Sequence, residues 1–596
     1  LMIRRPPRST LSPSSAASDV YKRQSIICAD KTGTMTKGEM TVREIRLLSG
    51  AIEVTGAGYE PVGSFLAGGR RVDVDDREDL RLLLLAAALC NDAKLVREEG
   101  RWEIRGDPTE GALLVAAAKA GIEEELGKYP RVGEVPFSSE RKRMTTVHRA
   151  PDGRLLAFTK GAPEVVVKRC SRVLDGGEVR AMRPEDVGRI LAANDDMASR
   201  GLRNLAIAYR ELDPSDLSRG LGEDIERGLV FLGIVGMMDP PRPEAKEAVE
   251  LCKKAGIRVV MITGDHKLTA LAIAKELGVY KEGDVVLTGE ELERMSDREL
   301  EEVVERVTVY ARVSPEHKMK IVRALKRKGY VVAMTGDGVN DAPALKAADI
   351  GIAMGITGTE VAKEASDMVL ADDNFATIVE AVRQGREIFD NVKKYLAYLL
   401  QCNIAEIVLP LLASLSALPL PLTAVQYLWI NLATDGLPAL ALGVDPADPD
   451  VMERPPRDPE KGVFERREAL LFLALVPALV ALVLAALFAH ALATEGYLGA
   501  RTRVFAAMVF VELAIALSCR SLRYPSWKVG LLKNKFLVAA LASSAALQVA
   551  VLEIPLLREA FEVSSPTLLD WLVALAAAIA VYAAVEAAKA LFPPRS

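Results

Sequence analysis

The sequence predicts a doubly wound α/β domain that contains an inserted α+β domain and is followed by an all-α membrane domain of six helices. Three β-branched runs, each ending in an acidic residue beside Gly and Thr, predict parallel strands of one sheet. They are "SIICAD" at 25–30, "GIRVVMITGDH" at 256–266 and "GYVVAMTGDGVNDAP" at 329–343. Helical patterns occur at 244–255 and 268–277, so strand and helix alternate as a parallel sheet requires.

The ends of these three strands carry the first candidate site. Asp30, Asp265 and Asp337 stand at or just beyond the ends of the predicted strands. Because ligands of doubly wound sheets gather at the carboxyl ends of the strands, we expect these carboxylates to lie close together.

An inserted domain is predicted by the distance between the first two strands. They are separated by residues 31–255, a stretch of 225 residues that is far longer than the unstructured loops of compact domains. This segment has its own strand and helix patterns, which include "RWEIRGDPTEGALLVAAAKAG", "EVPFSSERKRMTTVHR", "RLLAFTKGAPEVVVKRC" and "GLRNLAIAYREL". We expect a cleft between this domain and the sheet.

Six long apolar runs follow, and each approaches or exceeds the ~20 residues with which a helix crosses a bilayer. The loop "RSLRYPSWKVGLLKNK" after the fourth run is strongly basic, whereas "LREAFEVSS" after the fifth is not. The positive-inside rule therefore predicts that the basic loop, the soluble head and the C-terminus lie in the cytoplasm. The runs are residues 395–418, 422–444, 470–493, 504–522, 536–557 and 568–591.

Composition narrows the classes of partner. A net charge of −5 leaves no basic footprint for nucleic acid, and no feature indicates an oligomer. Six cysteines occur singly without a C-x-x-C pair, so neither disulfides nor zinc is indicated.

Residues 1–24 are rich in Ser, Pro and Arg and lack the apolar core of a signal peptide, and we interpret them as a non-native or disordered leader.

The motifs indicate phosphoryl transfer to a carboxylate. The chain contains no G-x-x-x-x-G-K-[ST] loop, so phosphate would instead be accepted covalently by an acidic nucleophile. Four motifs occur in order: "DKTGT" at 30–34, "KGAPE" at 160–164, "MITGD" at 261–265 and "TGDGVNDAPALK" at 335–346. Together they resemble the P-type ATPases, and the resemblance extends over essentially everything from residue 25 on. It implies a haloacid-dehalogenase-like sheet domain, an aspartyl-phosphate intermediate, and ATP and Mg²⁺ as ligands.

The resemblance implies a role for each motif residue. Asp30 would be the phosphorylated nucleophile, and catalysis would rest on positioning and charge neutralisation because an ionised carboxylate needs no general base. Asp30, Asp337 and the carbonyl of Thr32 would hold Mg²⁺, supported by Asp341. The transferring phosphoryl group would be contacted by Lys318, Thr34, Thr263, Gly264 and Asn340.

In the inserted domain the resemblance implies an ATP site. Phe137 of "PFSSERKRM" would stack on adenine, and Arg203 of "GLRNLAIA" would reach the nucleotide phosphates. The other predicted nucleotide-binding residues are Glu110, Lys142, Lys160 and Asp265.

A second candidate site lies within the apolar runs, where polar side chains are costly. The first run contains Asn403 and Glu406, and the second contains Asn431, Thr434 and Asp435, each set on one face of its helix. Their oxygen atoms suit a hard cation such as Ca²⁺, whereas interhelical hydrogen bonding would explain the Asn and Thr residues alone. The stretches also resemble the calcium pumps of the sarco/endoplasmic reticulum type.

This sequence differs from those calcium pumps in two ways that affect its expected function. The pumps supply a further acid from the span matching 504–522, where this chain has Leu522 near Arg520 and Arg523, so we expect one transported divalent ion rather than two. Arg520 is alternatively an interfacial anchor. The family's phosphatase loop and first four spans should precede "DKTGT", so we expect a C-terminal portion that binds ATP without transporting ions.

The sequence thus predicts ATP-driven transport of a cation, Ca²⁺ first, by a multi-pass protein of the bacterial plasma membrane. The alternatives are a P-type pump for Mn²⁺, Na⁺ or H⁺, a membrane-tethered phosphatase of the same fold, and a membrane-anchored nucleotide-binding module. The predicted divisions are a leader at 1–24, a phosphorylation domain at 25–39 and 233–375, a nucleotide-binding domain at 40–232, and a stalk with six membrane helices at 376–596.

Overall fold

The computed structural model describes residues 2–3, 23–98, 100–214, 216, 221–458 and 462–591. Most of the predicted leader therefore lies outside the described residues. The chain divides into two compact units. Of the described residues, the first unit comprises 2–3, 25–253 and 257–379, and the second comprises 23–24, 254–256 and those from 380 on.

Within the described residues the strands are, in chain order, β1 Met2–Ile3, β2 Ile26–Asp30, β3 Thr41–Leu47, β4 Gly50–Val54, β5 Phe65–Ala67, β6 Arg70–Val72, β7 Lys94–Glu98, β8 Arg101–Arg105, β9 Arg131–Ser138, β10 Arg143–Arg149, β11 Leu155–Gly161, β12 Cys170–Asp175, β13 Glu178–Ala181, β14 Arg203–Leu212, β15 Leu229–Met238, β16 Arg258–Ile262, β17 Val285–Thr288, β18 Val307–Ala311, β19 Val332–Gly336, β20 Ile350–Met354 and β21 Met368–Leu370.

The α-helices of the first unit are α1 Glu78–Leu89, α2 Pro108–Lys119, α3 Glu123–Leu126, α4 Pro163–Val166, α5 Pro184–Ser199, α6 Pro243–Lys254, α7 Lys267–Glu276, α8 Gly289–Arg294, α9 Asp297–Val303, α10 Pro315–Arg327, α11 Ala342–Ala347 and α12 Glu360–Ala365. Helix α13 Phe375–Leu415 begins at the end of this unit, and the second unit continues with α14 Ala424–Trp429, α15 Gly436–Leu442, α16 Arg466–Leu470, α17 Val476–Ser518, α18 Ser526–Val529, α19 Lys535–Glu553, α20 Pro555–Ala560 and α21 Leu568–Leu591.

The first unit contains an eight-stranded sheet in the order β1-β21-β20-β19-β2-β16-β18-β17. Its neighbouring strands run parallel except for the antiparallel edge pair β1–β21. The strands predicted around 25–30, 256–266 and 329–343 are confirmed as β2, β16 and β19, which are buried because their β-branched residues face helices on the sheet. Asp30 pairs with Ile262, and Cys28 pairs with Met334, so the carboxyl ends of these three strands adjoin.

The segment between β2 and β16 forms a second, eleven-stranded sheet in the same unit. Its main path is β6-β5-β4-β3-β15-β14-β11-β10-β9, with β12 and β13 attached beside β15. Neighbouring strands such as β11 and β14 pair antiparallel, and an apolar cluster includes Leu83, Phe158 and Val230. These features agree with the prediction that the segment carries strands and helices of its own. The predicted boundary at 232/233 falls inside β15, and the division into two domains stays a prediction.

In the second unit, length and apolar composition allow four of the described helices to cross a membrane. They are Phe375–Leu415, Arg466–Ser518, Lys535–Glu553 and Leu568–Leu591. The second of these spans 53 residues, and Gly496, with a φ of +80°, breaks it between the third and fourth predicted runs. The second predicted run is divided into α14, a π-helical turn at Ile430–Thr434 and α15. The count of six spans therefore stays a prediction.

One set of buried charges in this unit is paired around Asp445. Asp445 is fully buried, and its carboxylate accepts hydrogen bonds from Lys394, Arg520 and Asn534 at 3.2, 3.0 and 2.7 Å. The interpretation of Arg520 as an interfacial anchor is wrong, because its side chain is fully buried against Asp445.

A second buried pair lies near the end of α21. Lys589 is 1% exposed, and its Nζ lies 2.7 Å from Oε1 of Glu586. The Glu586 carboxylate also accepts hydrogen bonds from the Ser518 hydroxyl and the Ser526 backbone N–H, both at 2.5 Å. These contacts connect the last helix to the end of α17 and to α18.

Candidate functional site

The first candidate site begins where β2 ends at Asp30. The next five residues, Lys31–Met35, form a π-type turn whose backbone leaves helical geometry at Thr32 and Gly33. Gly33 has a φ of +73°, which glycine adopts without the steric cost of a Cβ. Arg242 donates hydrogen bonds to the carbonyls of Gly33 and Thr36 at 3.2 and 3.1 Å, which holds the turn in place.

Lys318 approaches Asp30 from the first turn of α10. Ser314 caps this helix by accepting a hydrogen bond from the His317 N–H at 3.3 Å, and Pro315 occupies the first helical position. The Lys318 Nζ lies 2.6 Å from Oδ2 of Asp30 and 2.8 Å from Oδ1 of Asp341.

Two further carboxylates complete this cluster just beyond β19. Oδ2 of Asp341 accepts hydrogen bonds from the backbone N–H groups of Asp337 and Gly338, each at 3.1 Å. One carboxylate oxygen each from Asp30, Asp337 and Asp341 lie within 4.8 Å of one another. Asp341 thereby shapes the loop that carries Asp337.

The electrostatics of the cluster favour an added cation. Burial raises the pKa of Asp30 although the Lys318 ammonium opposes the shift. Burial, followed by the charges of Asp30 and Asp341, raises the pKa of Asp337. Burial alone would lower the pKa of Lys318, but the carboxylates of Asp30 and Asp341 outweigh it and the pKa rises. Three carboxylates facing one ammonium leave an excess of negative charge on hard oxygen ligands, which fits Mg²⁺.

The remaining predicted phosphoryl-contacting residues differ in how deeply they are buried. Thr34 is buried, with its hydroxyl 3.4 Å from Sδ of Met354. Thr263 is buried after β16 and accepts a hydrogen bond from the Asp265 N–H at 3.1 Å. Nothing lies within 4 Å of the Cβ that a side chain would add at Gly264. Asn340 is exposed on the turn Val339–Asp341.

Asp265 belongs to an ion-pair set that the sequence analysis missed. Its carboxylate lies 2.7 Å from Nζ of Lys31, which is also 3.4 Å from Asp239. Asp239 in turn accepts a hydrogen bond from the Gly38 N–H at 2.8 Å. Lys31 directly follows Asp30, so these ion pairs fix the position of the backbone immediately after Asp30.

The predicted nucleotide-binding residues other than Asp265 lie on or beside the second sheet. Lys160 of β11 forms a 2.6 Å ion pair with Glu110 of α2 and pairs in register with Met144 of β10. Phe137 of β9 is 61% exposed, so its ring is free to stack on a ligand. Lys142 is exposed in the β9–β10 turn with a φ of +51°, and Arg203 is exposed at the start of β14. Because Ala206 pairs with Gly161, Arg203 lies at the same end of the sheet as Lys160.

In the second unit the polar residues of the apolar helices form two groups. The Asn431 amide donates to both carboxylate oxygens of Glu406, at 2.9 and 2.7 Å. The Tyr398 hydroxyl donates to Oδ1 of Asp435 at 2.7 Å. The Thr434 hydroxyl donates to the Ile430 carbonyl one turn earlier, and Asn403 is half-buried.

Glu512 belongs to the second group and was missed by the sequence analysis. It is 1% exposed in α17, and neither carboxylate oxygen has a hydrogen-bond partner among the described residues. One ligand atom each from Cys402, Asp435 and Glu512 lie within 4.8 Å of one another. The expectation that Leu522 marks the place of the further acid is wrong, because Glu512 supplies a carboxylate from within the same run. The signal was a lone Glu inside "VFVELAIAL".

Family models match two parts of the chain. Residues 79–244 match the model described as "P-type ATPase, cytoplasmic domain N", and residues 419–591 match "Cation transporting ATPase, C-terminus". These two matches lie on the second sheet of the first unit and on the helices of the second unit.

Similar proteins include pumps from bacteria and animals. The chain is 44% identical over 556 residues to "Calcium-transporting ATPase" of Bacillus subtilis, covering 92% of this chain and 62% of the relative. It is 42% identical over 577 residues to "Probable cation-transporting ATPase F" of Mycobacterium tuberculosis, covering 94% and 62%. It is 40% identical over 554 residues to "Calcium-transporting ATPase type 2C member 1" of Bos taurus, covering 92% and 56%.

The chain thus spans about three fifths of the length of these relatives. The matches, together with four helices in the described part of the chain that are able to cross a membrane, indicate an integral membrane protein. The chain belongs to the P-type ATPase family.

Proposed function

We propose that this protein is part of an ATP-driven cation pump that works through an aspartyl-phosphate intermediate on Asp30. The observation that carries the proposal is the contact of Asp30 with Lys318, beside the carboxylates of Asp337 and Asp341. A carboxylate is itself the nucleophile, and the surrounding groups serve to position it and to offset charge.

In the proposed step the free oxygen of the Asp30 carboxylate attacks the γ-phosphorus of ATP. A bond forms between Oδ1 and phosphorus, the bond from phosphorus to the β,γ-bridging oxygen breaks, and ADP leaves. Lys318 holds Oδ2 and offsets charge on the transferring group. Mg²⁺, held by Asp30, Asp337 and the Thr32 carbonyl, would neutralise phosphate charge when bound. Thr34, Thr263, Gly264 and Asn340 would donate to the phosphoryl oxygens.

ATP would bind on the second sheet. Phe137 would stack on the base, because its ring is exposed and base–aromatic stacking is worth about 1–3 kcal/mol. Lys160, Lys142 and Arg203 would supply positive charge, and Glu110 would orient Lys160 through their ion pair. Asp265, which forms an ion pair with Lys31, is proposed to belong to the nucleotide-binding residues as well.

The transported ion is proposed to be Ca²⁺, as in the names of the Bacillus subtilis and Bos taurus relatives. Asp435 and Glu512 are buried carboxylates near one another, and Asn403, Glu406, Asn431 and Thr434 supply further oxygen atoms. Several oxygen ligands with flexible geometry suit Ca²⁺. With Glu512 present, three carboxylates are available, so the expectation of a single divalent ion no longer follows from charge balance.

The finer parts of the proposal rest on the amino-acid sequence. The stretches around Asn403 and Asn431 support the branch of the sarco/endoplasmic reticulum calcium pumps. We also propose a haloacid-dehalogenase-like sheet domain, six membrane helices and a head on the cytoplasmic side of a bacterial plasma membrane.

The test is acid-stable labelling from γ-³²P-ATP in membrane vesicles that carry the protein, with and without Ca²⁺ and beside Asp30→Asn. Label that requires Ca²⁺ and is absent from the variant supports the proposal. Label that is lost in the variant but needs Mn²⁺, Na⁺ or no added ion keeps the chemistry and rejects Ca²⁺. Absence of label under all these conditions rejects the pump.

A further inference from the structure

We infer that Cys402 supplies a sulfur ligand to the cation site of the membrane helices, so that this site also binds soft divalent cations such as Cd²⁺. The inference rests on the proposed function, since it concerns the same site, and it extends the class of ions that the site accepts.

The geometry that supports the inference is the grouping of three ligand atoms. The Sγ of Cys402 lies with a carboxylate oxygen of Asp435 and one of Glu512 inside a set no wider than 4.8 Å. Around a tetrahedral ion with sulfur at about 2.3 Å and oxygen at about 2.0–2.2 Å, ligand atoms lie roughly 3.5 Å apart, which is closer than the 4.8 Å limit of this set. A shared ion is therefore accommodated with small movements of the side chains.

Glu512 is the second observation that indicates a ligand. It is 1% exposed, and within the part of the chain that the structure describes both oxygens lack a hydrogen-bond partner. A buried carboxylate without partners is costly, and a bound cation removes that cost. Cys402 is 1% exposed and is held beside these oxygens from α13.

A buried cysteine is more often a small apolar packing residue, and Cys519 shows that role in the same unit. Cys519 is fully buried, its Sγ accepts a hydrogen bond from Gln401 at 2.9 Å, and it does not belong to the carboxylate group. The two thiols therefore differ in what surrounds them, and Cys519 is the matched control.

The chemistry separates soft from hard ions. Thiolate ligands favour Cd²⁺ and Zn²⁺, whereas Ca²⁺ takes oxygen ligands. On binding, a sulfur–metal bond forms and the thiol proton passes to solvent. Cd²⁺ would thus use Cys402 together with Asp435 and Glu512, and Ca²⁺ would use the carboxylates without the sulfur.

The test measures the thiolate-to-Cd²⁺ charge-transfer absorption of the purified chain in detergent micelles, as the difference between native protein and Cys402→Ser. We expect a difference band, and we expect the Kd for Cd²⁺ to rise about tenfold or more in Cys402→Ser. Cys519→Ser should keep the native band and the native Kd. The absence of a difference band, or the loss of the same band in Cys519→Ser, would overturn the inference.

Two further measurements keep the result interpretable. Glu512→Gln retains the thiol, so the band should persist at saturating Cd²⁺ while the Kd rises about tenfold, and an unchanged Kd contradicts the shared site. Binding of ⁴⁵Ca²⁺ is measured on all four proteins and should be unchanged in Cys402→Ser. If the native protein binds Ca²⁺ but shows no difference band, the sulfur ligand is rejected and Ca²⁺ as the cargo is not. If the band is lost in Cys402→Ser but the native protein does not bind Ca²⁺, then Ca²⁺ is rejected as the cargo and the sulfur ligand is retained.

Discussion

The Lys318 ammonium and the Asp30 carboxylate lie 288 residues apart in the chain, yet their Nζ and Oδ2 atoms are 2.6 Å apart. Lys318 contacts Asp341 as well, so one cation ties the nucleophile to the loop that carries Asp337. This contact fixes the orientation of Asp30 before any ligand arrives.

Replacing Lys318 with Met should slow phosphorylation of Asp30 by about 10²–10³-fold, the loss typical of one preorganised electrostatic contact at a transition state. Quench-flow measurement of ³²P incorporation checks the rate. Lys326→Met, on the exposed part of the same helix, is the control and should label at the native rate. A native rate in Lys318→Met would show that the contact is structural.

Replacing Asp337 with Asn should raise the melting temperature at neutral pH in a chelator. The raised pKa of Asp337 means that the folded state binds its proton more tightly than the unfolded state. Its stabilising contribution is therefore present below the ordinary carboxyl pKa of 3.8 and is lost as the pH rises through the raised value. The difference between variant and native protein should shrink towards acid pH.

Thermal unfolding of the full chain across pH, with EDTA and with Mg²⁺, checks this expectation. Mg²⁺ should stabilise the native protein more than Asp337→Asn. Glu282→Gln, at an exposed position of the same unit, is the control. A variant less stable than native protein at neutral pH in EDTA would contradict the sign of the effect.

Replacing Phe137 with Ala should weaken ATP binding by about 1–3 kcal/mol, the usual contribution of stacking on a base. The ring is 61% exposed, so the melting temperature should not change. Isothermal titration with a non-hydrolysable ATP analogue checks the affinity. Val132→Ala, 40% exposed on the same strand, should bind as the native protein does. Equal affinities in the two variants would remove Phe137 from the nucleotide site.

Replacing Glu512 with Gln should raise the Ca²⁺ concentration for half-maximal phosphorylation by about tenfold or more, because a charged oxygen ligand is lost. The measurement is a Ca²⁺ titration of ³²P label at fixed ATP. Glu553→Gln, at the exposed end of α19, is the control. An unchanged Ca²⁺ dependence in Glu512→Gln would place the ion elsewhere in the membrane helices.

The strands that carry Asp30 and Asp337 could be predicted because their signals are local. A β-branched run followed by Asp, Gly and Thr defines a buried strand and its end without knowledge of the rest of the chain. The adjacency of the two ends followed from the rule that parallel strands present their carboxyl ends at one edge. The role of Lys318 in offsetting phosphoryl charge came only from the resemblance, and its contact with Asp30 was not predicted.

The membrane site was harder to predict, for physical reasons. Glu512 was missed because it lies inside the apolar run, whereas the further acid was expected at the end of the run, near Leu522, where the apolar pattern stops. The pairing of Arg520 with Asp445 joins residues 75 apart in sequence, and no local pattern encodes it. The π-helical turn at Ile430–Thr434 likewise depends on packing and on the Thr434 hydroxyl, not on an apolar count.

The buried pair Lys589–Glu586 has a consequence for biogenesis. A helix that carries both charges is poorly suited to lipid by itself, so α21 must meet its partners during insertion. Because α17 and α18 precede α21 in the chain, they would then be retained at the translocon until α21 emerges and its Glu586 carboxylate reaches them. Leu substituted for both Lys589 and Glu586 should let the last helix insert alone in a glycosylation-mapping assay, and equal insertion of the native helix would show that the pair imposes no such order.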